Sequence, residues 1–128
     1  MLFRSCGNKV MALIDAASGH VLGTAPIGEG VDAAAFDPGS RLAFASCGEG
    51  TLTVVSQSAS GALQVAQSVP TRRGARTMAL DVRSHRIYLV TADFGAPPAA
   101  TPEHPHPRPA ILPGSFRLLV LEPQDRRP

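Results

Sequence analysis

Three arginines that fall close together are the residues of this sequence best suited to binding chemistry. Arg72, Arg73 and Arg76 lie within five residues of one another. A guanidinium group donates two parallel hydrogen bonds to a carboxylate or a phosphate, so this cluster indicates a site for an anion. The alternative is that they are solvated loop arginines, paired with the carboxylates of Glu29 or Asp32. From the sequence alone, the second interpretation is favoured.

A proline-rich tract near the end of the chain carries the other reactive side chains. It reads TPEHPHPRPAILPG from Thr101 to Gly114. Glu103, His104 and His106 are residue types that bind zinc or copper. A His-Pro-His string is extended, so its side chains diverge, and a metal site needs further ligands from elsewhere. We therefore expect His104, His106 and Arg108 to contact a ligand, and metal binding is the less favoured use of the tract.

No pattern in the sequence marks a catalytic site or a cofactor. The Gly-rich phosphate loop followed by Lys, HExxH and a pair of CxxC motifs are all absent from the sequence. No nucleophile or acid is marked beside a histidine. The sequence predicts no catalytic residue and no cofactor, and it favours a protein that is not an enzyme.

Composition and charge narrow the possible partners. The chain has 128 residues, which fits one small domain. Its net charge of +2 is too small to predict binding to nucleic acid or to a membrane surface. No apolar run approaches the roughly 18 residues of a transmembrane helix. The start, MLFRSCGNKVMALIDAASG, lacks the sustained apolar segment of a signal peptide, so the chain as written is expected in the cytoplasm.

The elements that must position these residues repeat along the chain. The segment 30–46, GVDAAAFDPGSRLAFAS, aligns with 74–90, GARTMALDVRSHRIYLV. The segment 2–15, LFRSCGNKVMALID, aligns with 43–56, AFASCGEGTLTVVS. A period of about 40–45 residues with several short strands per unit is typical of β-propeller blades. The predicted repeat units are about 1–30, 31–74 and 75–128.

Each unit is predicted to hold up to four antiparallel strands, named A to D from the axis outward. The four strands of the central unit are predicted at Asp32–Phe36, Leu42–Ser46, Thr51–Val55 and Leu63–Val69. The first unit lacks strand A and the third lacks strand D. The sequence therefore predicts an all-β, propeller-like fold of about two and a half four-stranded antiparallel blades. The chain, 1–128, is then a single partial β-propeller, an incomplete ring.

These repeat motifs resemble the bacterial YVTN-type, YncE-like β-propeller repeat. Asp81–Val90 matches its D-x-x-x-x-R-hydrophobic-Tyr-Val strand pair, Val10–Gly19 its hydrophobic segment ending Ile-Asp-x-x-x-Gly, and Val21–Gly28 its Val/Ile-rich strand. The resemblance covers nearly the whole chain and departs after Phe94. It implies the propeller fold and, because similar proteins are exported, a periplasmic or cell-envelope location. Because the first unit starts at strand B, we expect the chain to be a truncated C-terminal part of a larger propeller. The alternative is that several copies assemble to complete a ring.

The direction of the strands sorts the loops onto two propeller faces. The arginines and a proline-rich insertion at about 95–114, in a B-to-C loop, fall on one face, which is the predicted binding face. Seven prolines stiffen the insertion toward polyproline II, so we expect a semi-rigid flap over that face. His20 and His85 fall in turns of the other face, where only ordinary turn chemistry is expected.

The repeat is specific for fold and weak for function. We expect a non-catalytic propeller repeat module that binds a protein, or an anionic or extended ligand, on the arginine and histidine face. The alternatives are a remnant of a redox or lactonase-like propeller enzyme, or a fragment with no independent function. Because the incomplete ring leaves unpaired strand edges, self-association through those edges is also expected.

Overall fold

The structure, a computed structural model, describes residues 1–124. Its ten strands are β1 (Leu2–Cys6), β2 (Val10–Ile14), β3 (Val21–Pro26), β4 (Val31–Asp37), β5 (Leu42–Cys47), β6 (Thr51–Gln57), β7 (Leu63–Pro70), β8 (Thr77–Asp81), β9 (Arg86–Thr91) and β10 (Arg117–Leu121). Over this range the chain forms no helix, and so none that is long and apolar enough to cross a membrane. The predicted unit 75–128 and the predicted single domain 1–128 extend into residues 125–128, which lie outside the described range.

The strands pair into three antiparallel sheets that follow the order of the chain. Sheet 1 is β1-β2-β3, sheet 2 is β4-β5-β6-β7 and sheet 3 is β8-β9-β10. The prediction of an all-β antiparallel fold with about ten strands is confirmed. Sheets 1 and 3 have three strands where sheet 2 has four, and in residues 1–124 the sheets do not close on themselves.

Turn chemistry explains why an alanine-rich segment becomes a strand. β4 contains the run Ala33–Ala35, and alanine by itself favours a helix. The carboxylate of Asp37 accepts hydrogen bonds from the backbone N–H of Gly39 and the hydroxyl of Ser40, which closes a turn. This turn ends β4 after seven residues, a usual strand length and too short for a stable helix.

Sheet 2 lies between the other two sheets and packs against both. Successive residues of a strand point to opposite faces, so β5 and β6 supply both cores. The buried residues that one face contributes to the core shared with sheet 1 are Ala43, Ala45, Cys47 and Val55. Those that the other face contributes to the core shared with sheet 3 are Phe44, Leu52 and Val54.

The sequence repeat is matched by a repeated backbone geometry. The N–H of Ile27 donates to the carbonyl of Lys9 at 2.9 Å, and the equivalent N–H of Thr71 donates to the carbonyl of Gly50 at 2.7 Å. Lys9 and Gly50 also share a positive φ, 65° and 107°. The second unit therefore reproduces the loop that joins strands in the first.

Candidate functional site

One edge of the stacked sheets collects the loops that carry the predicted binding residues. Antiparallel strands place alternate connections at the same edge. Backbone hydrogen bonds tie neighbouring loops together there, from Gly48 N to Gly30 O at 2.8 Å and from Gly74 N to Gly48 O at 2.8 Å. We call this the arginine edge, and its loops are 7–9, 27–30, 48–50, 71–76 and 92–116.

The arginine loop, residues 71–76, packs directly on the start of loop 92–116, which carries the proline-rich tract. Gly74 adopts a φ of 79°, which favours glycine, and a Cβ there would lie 3.1 Å from Cε2 of Phe94. The hydroxyl of Thr91 donates to the carbonyl of Arg73 at 2.9 Å. Loop 71–76 and the start of the tract are thus fixed relative to one another.

Asp93 is the charged centre of this junction. Arg117 Nη1 lies 2.8 Å from both carboxylate oxygens of Asp93, and Arg72 Nη1 approaches Oδ1 at 3.6 Å. The Asp93 carboxylate is 44% exposed, so water screens these pairs, and each contributes little to stability by itself. Asp93 therefore marks the point where loop 71–76, β10 and the start of loop 92–116 meet.

The other two predicted arginines keep their charge available. Arg73 and Arg76 are exposed, and neither forms an ion pair with another residue in 1–124. The expected pairing with Glu29 is wrong, because Glu29 lies 2.9 Å from Lys9 instead. Asp32 likewise forms no ion pair with an arginine of the described range, and Arg72 pairs with Asp93.

The tract leaves the sheets as a paired stem and an exposed tip. Gly95 N donates to Ala110 O at 2.8 Å, and Leu112 N donates to Asp93 O at 2.9 Å. The backbones of Thr101 and His104 exchange two hydrogen bonds of 3.1 Å, which turn the tip back on itself. The tip encloses an open concavity of about 620 Å³ lined by its own residues, among them Glu103, His104, His106 and Arg108.

The structure does not unite the predicted binding residues into one site. His104, His106 and Arg108 are exposed on the tip, whereas Arg72, Arg73 and Arg76 lie beside its stem. Between these two groups, no hydrogen bond or ion pair is formed within residues 1–124. In the same range no three His, Cys, Asp or Glu side chains lie close enough to hold a metal ion, so Glu103, His104 and His106 lack the further ligand that they need.

The opposite edge holds a repeated turn, Asp-x-x-Ser. Asp15, Asp37 and Asp81 each accept a hydrogen bond from the hydroxyl of the serine three residues later. A residue with positive φ follows each serine, namely Gly19, Arg41 and His85. We call this the aspartate edge, and its turns are 15–20, 38–41, 58–62 and 82–85.

At this edge Asp37 and His85 form a contact between sheets 2 and 3. His85 Nδ1 lies 2.6 Å from Asp37 Oδ2. Because a carboxylate only accepts hydrogen bonds, Nδ1 carries a proton, and in the neutral ring Nε2 is then an acceptor. Asp37 is 1% exposed and the His85 side chain 41% exposed, so the buried partner is the carboxylate.

Hydrogen bonds keep this carboxylate ionised. Burial raises the pKa of Asp37, but hydrogen bonds from Ser40, His85 and the backbone of Gly39 outweigh it, and the pKa lies below its ordinary value of 3.8. At neutral pH the carboxylate is therefore ionised, and it faces the Nδ1–H of His85. Such a pair orients an imidazole as a general base, although Ser40 donates to the same carboxylate and is not held as a nucleophile for His85.

A cleft of about 720 Å³ opens beside this pair, between sheets 2 and 3. Its walls are largely apolar, with Phe44 and Val69 on one side and Ile87 and Leu121 on the other. An apolar cleft with a few polar groups is the usual form of a small-ligand site. The prediction of ordinary turn chemistry at this edge is therefore incomplete.

Sequence reasoning missed this pair because its members are 48 residues apart. The signal that was present is the Asp-x-x-Ser repeat itself. Asp37 and Asp81 are equivalent, and of their two turns only the turn after Asp81 contains a histidine. Stacking consecutive units brings the turn of one unit onto the aspartate of the unit before.

Comparisons of the chain with known protein families, with curated proteins and with solved structures find no match.

Proposed function

We propose that the chain is a non-catalytic, β-propeller-like binding module of the YncE-like kind, and that it binds an acidic or extended partner on the arginine edge. Three antiparallel sheets stacked in chain order, with the same loop repeated in successive units, support the propeller-like part of this proposal. On the same resemblance, the proposed location is the periplasm or cell envelope.

The main support for this function is the way in which the proline-rich tract is attached to the sheets. Residues 96–109 leave the sheets on a hydrogen-bonded stem, which Asp93 fastens to Arg72 and Arg117. A long loop that serves only as a connection needs no such anchor, and long loops of this kind are usually functional. The exposed cations beside it, Arg73 and Arg76, are the groups available to bind an anion.

Binding of a labelled hexaglutamate peptide, followed by fluorescence anisotropy at low salt, tests this proposal. Arg73→Ser removes an exposed cation from the arginine edge and is expected to weaken binding roughly tenfold, or about 1.4 kcal/mol. Arg83→Ser is the matched control, because Arg83 is equally exposed but lies on the aspartate edge. Equal affinity for both variants and the unchanged protein would contradict a specific arginine edge, and so would no binding at all.

The Asp37–His85 pair favours a second candidate, a hydrolytic remnant of a propeller enzyme. An imidazole oriented by a carboxylate at the rim of an apolar cleft suits general-base attack of water on an ester. Hydrolysis of p-nitrophenyl acetate by the chain, lost in His85→Gln and kept in His20→Gln, would support this candidate. A rate no higher than in buffer eliminates it for esters.

A further inference from the structure

The outer face of sheet 3 is an apolar surface that nothing covers in residues 1–124. Ile87 and Leu89 of β9 point into the core shared with sheet 2, so their neighbours in the strand point outward. The register pairs Tyr88 with Val120 and Val90 with Leu118. Leu118 and Val120 are 56% and 48% exposed, although they form the middle of a strand.

The chain's own repeat shows what this surface packs against. The residues at the same register in sheet 2 are Phe44, Ser46, Leu52 and Val54. Those in sheet 1 are Phe3, Ser5, Met11 and Leu13. In both sheets the next sheet along the chain covers this surface, so that Met11, Leu13 and Leu52 are at most 1% exposed. Within residues 1–124, sheet 3 presents the same surface and no further sheet covers it.

The reciprocal surface is also exposed, on the outer face of sheet 1. The residues with which sheet 2 packs against sheet 1 include Ala43, Ala45 and Val55. The residues of sheet 1 at the same register are Leu2, Arg4 and Ile14. Leu2 is 54% exposed, and Val21, which pairs with Ile14 in the adjoining strand, is 60% exposed. One copy of the chain thus carries both halves of an interface that it already uses twice.

We infer that the outer face of sheet 3 binds the outer face of sheet 1 of a second copy, head to tail. The contact continues the two sheet-on-sheet interfaces within the chain, with the same register positions on each side. Because the two surfaces differ, the interface is heterologous, and each added copy leaves one surface of each kind free. This association is independent of the arginine edge and of the function proposed for it.

One residue pair gives the interface a chemical signature. Phe44 shares a core with Leu89, and the equivalents of these two residues are Tyr88 and Arg4. We therefore expect the Arg4 side chain of the second copy to lie beside Tyr88, where cation–π attraction stabilises the contact. Its aliphatic stem covers the apolar surface that Leu89 covers inside the chain.

Sedimentation velocity at increasing protein concentration tests the inference with two blocked variants. Leu118→Lys/Val120→Lys blocks sheet 3, and Leu2→Lys/Arg4→Asp blocks sheet 1. These positions are exposed, so neither variant loses core packing, and circular dichroism checks that the fold is kept. Val82→Lys and Ile111→Lys are matched controls, because each places lysine at an exposed apolar residue on neither surface.

The expected result is that the unchanged chain and both controls associate, while each blocked variant alone stays monomeric. An equimolar mixture of the two blocked variants is expected to form a 1:1 heterodimer and nothing larger, because one intact interface remains. Tyr88 is the only tyrosine and the chain has no tryptophan, so a change in tyrosine emission on mixing reports burial at the interface.

Three outcomes would overturn the inference. The first is an unchanged chain that is monomeric at every concentration. The second is a dimer of the variant blocked at sheet 1 alone, which shows a symmetric contact between two copies of sheet 3. The third is association of both blocked variants on their own, which shows pairing through the strand edges of β1 and β10.

Discussion

At the scale of single residues, Asp37 has a larger role than its equivalent in the next unit. Both Asp37 and Asp81 accept hydrogen bonds from a serine hydroxyl and a backbone N–H in their own turn. Asp37 is also buried and accepts a third hydrogen bond from His85 of sheet 3. The difference in unfolding free energy between equivalent variants at Asp37 and Asp81 therefore measures the contact between sheets 2 and 3.

Replacing these two aspartates separates turn closure from the contact between sheets. We expect Asp37→Ala to lower the free energy of unfolding by about 2–4 kcal/mol, because it removes three hydrogen bonds to an ionised acceptor. Asp81→Ala removes only the exposed turn bonds and is expected to cost about 1 kcal/mol. Urea unfolding followed by circular dichroism measures both, and equal costs would show that His85 contributes nothing.

The lowered pKa of Asp37 makes stability depend on pH. Because its folded pKa lies below 3.8, the ionised form stabilises the fold above that pH, and this contribution is lost as the pH falls toward the folded pKa. We expect Asp37→Asn to be less sensitive than the unchanged chain to acid below about pH 4. Three other carboxylates with a lowered pKa remain in both proteins, so the difference between the two curves isolates Asp37: Asp15, Glu49 and Asp81.

The residue pairings show what the sequence can and cannot predict. The turn at Asp37 is local, since its partners follow within three residues, and turn residues mark it in the sequence. The Asp37–His85 pair joins sheets 2 and 3, and the Arg72–Asp93 pair joins loop 71–76 to loop 92–116. By charge alone, Glu29 and Asp93 are equally good partners for the arginines. Only the packing of loop 71–76 on loop 92–116 decides between them.

At the scale of elements, the tract is an exposed loop on a structured stem. Residues 92–116 join β9 to β10, and these strands pair along their whole length, from Arg117 with Thr91 to Leu121 with Ile87. The tip is formed by residues 97–109, and all of them except Pro107 and Pro109 are exposed. The sequence indicates the loop through its seven prolines, but the stem depends on Ile111 and Leu112, which follow the prolines of the tip and carry no pairing signal.

Two deletions of different length test the division between stem and tip. Replacing 97–109 with Gly-Asn-Gly removes the tip and is expected to change the free energy of unfolding by less than about 1 kcal/mol, since few contacts are lost. Deleting 97–113 also removes the bridge of Phe94 with Ile111 and the hydrogen bond from Leu112 to Asp93, and it is expected to cost more. Thermal unfolding compares the two variants, and the same large loss in both would show that the tip itself stabilises the sheets.

At the scale of the whole molecule, sheet 2 joins two separate hydrophobic cores. The alternation of β5 explains this arrangement, because Ala43 and Ala45 face one core and Phe44 faces the other. These side chains differ in size. The small side chains of Ala43 and Ala45 allow sheet 1 to approach closely, whereas the large side chain of Phe44 fills the space toward sheet 3. A strand that is buried on both faces reads as a nearly continuous apolar run, and LAFASC does so in the sequence.

Because both cores share the same strands, we expect the three sheets to unfold as one unit. Loss of sheet 3 would expose Phe44 and Leu52, and loss of sheet 1 would expose Met11 and Val55, so neither outer sheet can leave without weakening the other. Two probes report on the opposite sides of sheet 2. The free thiol of Cys47, fully buried with a pKa raised by burial, reports on the core with sheet 1, and Tyr88 emission reports on sheet 3.

The Leu118→Lys/Val120→Lys variant is used here so that association does not add to stability. In a urea titration of this variant, we expect coincident midpoints for Cys47 labelling and Tyr88 emission. Cys6→Ser in the same chain leaves Cys47 as the only thiol and removes ambiguity from the labelling. Phe44→Ala removes packing only from the core with sheet 3 and is expected to lower the free energy of unfolding by about 3–5 kcal/mol. Both midpoints are then expected to fall together. If it lowers the Tyr88 midpoint alone, sheet 3 unfolds separately, and sheets 1 and 2 form a unit that is stable without it.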